Sequence, residues 1–574
     1  YKLVLLFLLG LSFTNIGFSG NYNTCQNPLP SGTNTLSGNV SAAGHCFWFN
    51  SNTELDCKGY SINGPGNSFA LLANINKNNV TIKNCIITSF QLGSYIDRST
   101  NFIFDNITSY GSEYGLWLRD SSNITINNSE TSFNNFGLFA GANSYTSSNI
   151  GVYNHIANSN GFGVSSRTGV IYFKVDSGIV NNVSINANPT GLYIDYSNNI
   201  EVNNLKLSGN LIGTVVSASN DVDLFNVNVS NSVLSSGIVL QLGTNNTNIS
   251  NVNSFNNNYG IAVSDSSNNT FNNLNISNNL NIGFYTVGAS NYNEIYNSNI
   301  YDNKNYDFGM DSLSIINQCD NILSNITGTN NLPIKYFNSS VSLSDEILAE
   351  LFLCDADNSN INNISINSGS NFQNNAIMSF FVDNSNFTDI KINNTRWGLY
   401  FRNSSYNIID NYNSFNNYIG SLSIYTTFTN FSNINVYNSS TNALLINFGE
   451  NNRVINFSST LAVAGTSFEV RDSDNNYFEN IMVNDTKLYS GFYLMRSSSN
   501  IVKNLNSSFN FFNGVVINNN SNNNVFLGNN NLFNNTIFGL SFADSVGGNY
   551  SGFNSFNTGA VSYTHLRAHE TDSY

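Results

Sequence analysis

GLWLRDSSNITINNSETSFNNFGLFA, from Gly115 to Ala140, contains one period of this chain and the start of the next. Gly115 opens a short run in which Leu116 and Leu118 flank Trp117. The following module, Ser121 to Asn134, alternates in the same way, with Ile124 and Ile126 set between polar neighbours. Alternation of period two is the pattern of a half-buried strand, and the Asn, Ser and Gly clusters between the runs read as turns. Gly137 restarts the pattern with GLFA, 22 residues after Gly115.

The motif recurs as GLYI at Gly191, GIVL at Gly237, GIAV at Gly260, GFYT at Gly283, GLYF at Gly398, GFYL at Gly491, GVVI at Gly514 and GLSF at Gly539. Degenerate copies begin at Cys46, Ala70, Gly93, Gly213, Ala443 and Ser467. A repeat of this length, holding two or three short strands that cannot bury their apolar faces alone, predicts a stacked solenoid. The expected fold is all-β: a parallel β-helix of about 22 rungs, each paired along its backbone with the next. Two stretches break the count. Gly163 to Asn182 lengthens one step. Leu332 to Ile361 carries the only helix-like charge pattern, Asp345, Glu346 and Glu350, and reads as an atypical rung or an excursion between rungs.

Composition agrees. Charged residues are 10% of the 574, against roughly 25% in an average domain. Like charges stacked every ~5 Å would repel. Asn makes up about a fifth of the chain; it tolerates left-handed corners and forms side-chain ladders. At 40% hydrophobic and 13% aromatic, the chain has material for a large core, which argues against disorder. With 20 Lys and Arg against 35 acids, net −15, there is no basic footprint for nucleic acid.

The ends differ from the middle. Residues 1–20 have the layout of a secretory signal peptide, Lys2 followed by an apolar run from Leu3 to Phe13, although the first residue is not Met. The expected organisation is this leader, an N-terminal cap region at 21–45, the β-helix at 46–557, and a non-native or disordered tail at 558–574. The tail loses the Asn bias, and VSYTHLRAHETDSY from Val561 resembles a peptide translated from sequencing-adaptor DNA. His565 and His569 therefore enter no site. No second apolar stretch reaches membrane length, so a membrane span is not expected.

The opening CFWFNSNTELDCKGYSING (Cys46 to Gly64), then NNVTIKNCIITSF (Asn78 to Phe90) and the SSN-x-I/F-x-N modules resemble secreted right-handed parallel β-helix repeat proteins, relatives of the pectin-lyase-like and NosD-type families. The likeness runs from about Cys25 to Asn557. It implies a right-handed, single-stranded coil and an extracellular or cell-surface location. It is weak on activity, because this architecture hosts many.

Six cysteines in an exported chain favour disulfides: Cys25, Cys46, Cys57 and Cys85 near the start, Cys319 and Cys354 further on. Cys57 with Cys85 is the favoured pair of the first four, since both lie in similar places of successive rungs. Buried free thiols are the alternative. No zinc spacing occurs. The copper role suggested by the NosD-type likeness finds Met310, Met378, Met482 and Met495 scattered and only His45 and His155 beside them. No metal or cofactor is expected. Paired acids such as Asp355 with Asp357, Asp221 with Asp223 and Asp472 with Asp474 lack the His and Arg-Ile-Lys element of the pectin hydrolases and read as turn residues. No catalytic residue is assigned.

One positional signal remains. The residue between the two inward apolar residues of each motif points outward. In early rungs it is Trp48, Tyr95, Trp117 and Phe139, with Asp97 and Arg119 two residues on from Tyr95 and Trp117. Tyr193 with Asp195, and Tyr400 with Arg402, repeat the idea. An aromatic strip edged by charge suits sugar rings. Polysaccharide binding at the cell surface is the expected function. The alternatives are a lyase or glycoside hydrolase of the same fold, and a purely structural envelope or adhesion protein. Stacked aromatics that merely stabilise the sheet are the rival account of the strip.

Overall fold

A computed structural model describes residues 20–141, 144–161, 168–311, 319–369, 373–556 and 562–564. It is a parallel β-solenoid of about 22 turns with no α-helix among the described residues. The expected leader falls outside the described residues except for Gly20, and so does the expected tail except for Ser562–Thr564, which pairs with Leu540–Ala543. The chain divides into two compact units, Tyr1–Ser232 and Val233–Tyr574.

In the first unit, parallel pairing starts at Gly20–Tyr22 against Gly32–Leu36, ahead of the Cys46 motif. The rung quoted above then shows the general plan. Its strands Tyr114–Arg119, Ser122–Asn127 and Glu130–Ser132 lie over those of the preceding rung with a step of 22 residues, so that Trp117 pairs with Tyr95, Ile124 with Phe102 and Glu130 with Thr108. Leu116, Leu118, Ile124 and Ile126 are buried and stack on the same positions above and below. The motif glycine has a physical reason. A Cβ on Gly115 would stand 2.5 Å from the carbonyl oxygen of Gly137, so a side chain there would force two rungs apart.

Asparagine holds the corners and the interior by different means. At the outer corner Asn79, Asn101, Asn123 and Asn149 all take left-handed backbone angles. Asn149 Nδ2 donates to Asn123 Oδ1 one rung below, at 2.9 Å. A second column is inside. Asn134, Asn160, Asn188 and Asn210 are buried, and the Oδ1 of each of the last three accepts the backbone N–H of the preceding member at 2.8–3.1 Å. Their amides donate to Ser109, Thr131, Ala157 and Ile185 carbonyls. Buried backbone groups left open by the sharp turn are thereby satisfied. Cys25–Cys46 and Cys57–Cys85 are disulfide-bonded.

The second unit repeats the plan and then breaks it. Motif strands Ser236–Gln241, Tyr259–Ser264, Ile282–Val287 and Tyr306–Asp311 stack in parallel, and Tyr306–Asp311 is the edge of its sheet. Beyond it Ile322–Thr327 pairs antiparallel with Pro333–Phe337, across a turn containing the short 3-10 segment Thr329–Asn331. A second stack follows: Glu350–Cys354, Asn375–Phe380, Trp397–Arg402 and Ile419–Ile424, continuing to Leu540–Ala543. The stretch with the helix-like charge pattern therefore consists of strands, Ser342–Leu348 and Glu350–Cys354. Cys319 is disulfide-bonded to Cys354 across this fault.

Side chains replace the missing ladder at the fault. Glu350 accepts the backbone N–H of Phe308 at 3.1 Å with one oxygen and that of Asn375 at 3.0 Å with the other. Asp307 accepts from Asn303 and Asn374 side-chain amides and from the Thr329 hydroxyl, at 3.1, 2.9 and 2.6 Å. Both acids are fully buried, and burial pushes both carboxyls up, Glu350 well above the usual range.

Candidate functional site

Two outward-facing places gather aromatic side chains with charge. The first is the column in the first unit. Parallel register aligns Trp48 with Leu72, Leu72 with Tyr95, Tyr95 with Trp117 and Trp117 with Phe139. The rings are in contact. Tyr95 and Trp117 centroids are 5.1 Å apart, Trp117 and Phe139 6.0 Å. Leu72 interrupts the column, but Phe69 and His45 in the neighbouring column carry the contacts on from Tyr95 to Trp48 at 5.8, 4.6 and 6.2 Å. Tyr114 stacks on Trp117 at 4.6 Å and on Phe136 at 4.7 Å. Sequence reasoning missed this second column, because it sits just before the motif glycine rather than inside the motif. Most of these rings are half-buried; Trp48 is exposed. Past Phe139 the surface continues as a shallow cavity of about 450 Å³ lined by Ile171, Phe173, Tyr193 and Asp195.

The charged partners are not disposed as expected. Asp97 does not face solvent; it is 3% exposed, because its carboxylate is held by Arg98 at 3.1 Å and lies 3.5 Å from Arg119 Nε. Arg119 in turn donates to the Tyr95 hydroxyl at 2.7 Å. Arg119 thus edges the strip, while Asp97 lies behind it and fixes the guanidinium. Asp195 is buried as well.

The second place is a notch of about 310 Å³ in the second unit, over the fault. Tyr285, Tyr306 and Asp311 line it from one stack, Asn375, Trp397, Tyr400 and Arg402 from the other. Tyr400, expected outward, is 4% exposed because it forms a wall of this notch. Trp397 lies edge-on to it at 4.9 Å and Phe380 packs at 5.5 Å. Tyr285 donates to Asp311 at 3.4 Å, and burial together with that carboxylate pushes the Tyr285 phenol up to about 12. Burial also raises the Asp311 carboxyl, against the pull of Arg402. Two residues that the sequence scatters, Met310 and Met378, both line it.

The class defined by this fold is a β-solenoid with aromatic outer surfaces. Residues 159–330 match the family model described as periplasmic copper-binding protein (NosD). Among solved structures the chain is similar to the A-module of the mannuronan C-5 epimerase AlgE4 of Azotobacter vinelandii, at 14% identity and a TM-score of 0.36, covering 54% of this chain and 89% of that one. The A-module of AlgE6 from the same organism gives 13%, 0.37, 63% and 91%. Tailspike protein 3 of bacteriophage CBA120 gives 12%, 0.32, 63% and 54%. Similarity at this level says nothing of substrate or chemistry. No curated protein matches the chain.

Among the described residues the donors do not fit a copper site. Soft copper centres draw on Cys, Met and His together. All six cysteines are in disulfides, and among the described residues no three of His, Cys, Asp and Glu are grouped to hold a metal. His45 accepts from the Phe69 N–H, and His155 is buried against Thr131. Met310 and Met378 have aromatic rings about them in the notch, and no imidazole or thiolate lines it.

Proposed function

We propose that the protein works outside the cytoplasm and binds an extended polysaccharide along the aromatic column of its first unit. One observation carries the reading: an unbroken series of ring contacts from Trp48 to Phe139, with Tyr95 and Trp117 in register and 5.1 Å apart. That spacing follows from the strand separation and is close to the length of one sugar residue, so a chain lying along the column meets a ring at each step. Arg119 stands at the edge, positioned by Asp97 and Tyr95, with donors for hydroxyls. Location outside the cytoplasm is supported by three disulfides and by the periplasmic description of the family matched at residues 159–330. No helix among the described residues is long and apolar enough to cross a membrane.

The test is retention on insoluble polysaccharides by the unaltered protein and by the double variant Tyr95→Ala with Trp117→Ala. Loss of retention with unchanged circular dichroism supports the column. Undiminished retention removes it, and no retention by either protein returns the molecule to a structural role in the envelope. A second reading, cleavage of a polysaccharide, is favoured by the sharing of one notch by Asp311 and Arg402. Release of new chain ends that disappears in Asp311→Asn would establish it.

A further inference from the structure

The notch over the fault differs from the column in shape and in chemistry. The column is open along its length. The notch lies between two stacks of strands that do not share a ladder, and its volume of about 310 Å³ is at the small end for ligand sites. Its walls are the flat faces and edges of Tyr285, Tyr306, Trp397 and Tyr400. Its polar groups are few and convergent: the Asp311 carboxylate, the Arg402 guanidinium and phenol hydroxyls.

The aromatic walls are held in place: Tyr400 is 4% exposed, with the Trp397 ring at 4.9 Å and the Phe380 ring at 5.5 Å.

We propose that the notch binds a single neutral pyranose ring, as a chain end or a side branch. The charges decide the class. A carboxylate ligand would meet Asp311 as well as Arg402, and an ammonium ligand would meet Arg402 as well as Asp311. A ring of hydroxyls uses both, accepting from the guanidinium and donating to the carboxylate, while its C–H faces lie against Trp397 and Tyr400. The volume admits one ring with its substituents rather than an extended segment. This site is independent of the column in the first unit, and stands or falls without it.

The chain has three tryptophans, so the full chain carrying Trp48→Phe and Trp117→Phe reports on Trp397 alone. The probes are methyl α- and β-glycosides of glucose, galactose and mannose, with methyl glucuronide and choline as charged comparators. At least one neutral glycoside is expected to change the Trp397 emission saturably, with the charged probes weaker by about tenfold or more. In that background Arg402→Met and the isosteric Asp311→Asn should each weaken the response by about tenfold, which corresponds to the loss of one good hydrogen bond. Saturation by a charged probe alone, by none of them, or equally well in both variants would overturn the proposal. Retention on polysaccharide and its loss in Tyr95→Ala with Trp117→Ala are read separately from the Trp397 emission, which separates failure of the notch from failure of the column.

Discussion

Asp307 and Glu350 hold equivalent positions in the repeat, the position of the motif glycine. Register places Asp307 beside Gly283, and it places Glu350 in line with Ala376 and Gly398. Where glycine allows a strand to stack closely, these two acids do not. Their carboxylates instead take over backbone donors, Glu350 from Phe308 and Asn375, Asp307 from Thr329. The fault in the coil is thus built from two buried acids at the two places that face it.

Both carboxyls are held above their ordinary values by burial, and Glu350 further by the nearby Asp307 charge. The folded state therefore binds protons that the unfolded chain has released, and stability falls as pH rises above the unfolded carboxyl range. Replacing Glu350 with Gln should flatten that fall. Thermal unfolding from pH 4 to pH 8, followed by calorimetry, should show a shallower decline for the variant than for the parent.

His155 has the opposite sign. It is fully buried, its Nε2 lies 3.0 Å from Thr131 Oγ1, and burial lowers its pKa to about 4. Below pH 6.5 the unfolded chain takes up a proton that the folded state refuses, so stability is lost as pH falls from there towards 4. At about 1.4 kcal/mol per unit, the loss approaches about 3 kcal/mol. His155→Gln should be less stable at pH 7 but should lose less between pH 7 and pH 4. Equal losses in both proteins would contradict the assignment.

The coil was legible because a period of two inside a period of about 23 leaves few other folds, and Leu116, Leu118, Leu192, Ile194, Ile238 and Leu240 are buried as the alternation requires. Trp117, Tyr193 and Val239 are correspondingly half-exposed. Less was legible where side chains act across rungs. Asp97 alternates outward on paper, yet its strand ends at a corner where Arg98 and Arg119 close over it. The notch was hidden because its two walls come from strands about 90 residues apart. The signal was present, though: in YDFG at Tyr306 and ELFL at Glu350 an acid replaces the motif glycine, and Glu350 falls in the stretch whose charge pattern reads as an atypical rung or an excursion between rungs.

Cys57 and Cys85 lie 28 residues apart and tie neighbouring rungs of the first unit. Closing a loop of that size restricts the unfolded chain by about 3–4 kcal/mol. The double variant Cys57→Ala with Cys85→Ala should therefore shift the urea midpoint of the first unit downward, and reducing the unaltered protein, which also opens Cys25–Cys46, should shift it at least as far.

The internal asparagine column gives the sharpest test of why the chain is so rich in this residue. Asn188 is buried; its Oδ1 accepts from Asn160 N at 2.8 Å, and its Nδ2 donates to the Ala157 carbonyl at 3.0 Å. Leucine has nearly the same shape but can do neither. Asn188→Leu would leave a donor and an acceptor buried and unpaired, each costing about 1–3 kcal/mol, against which the added apolar burial is worth about 1–2 kcal/mol. The middle of those ranges is a net loss of about 2–3 kcal/mol. At Asn149, whose amide ladder lies on the exposed corner, the same substitution removes a solvated hydrogen bond of little net worth and strains a left-handed residue, so about 1–2 kcal/mol is expected. Urea unfolding of the two variants should rank them in that order. Equal, small losses would mean that the interior column only fills space, and that the asparagine content serves the corners alone.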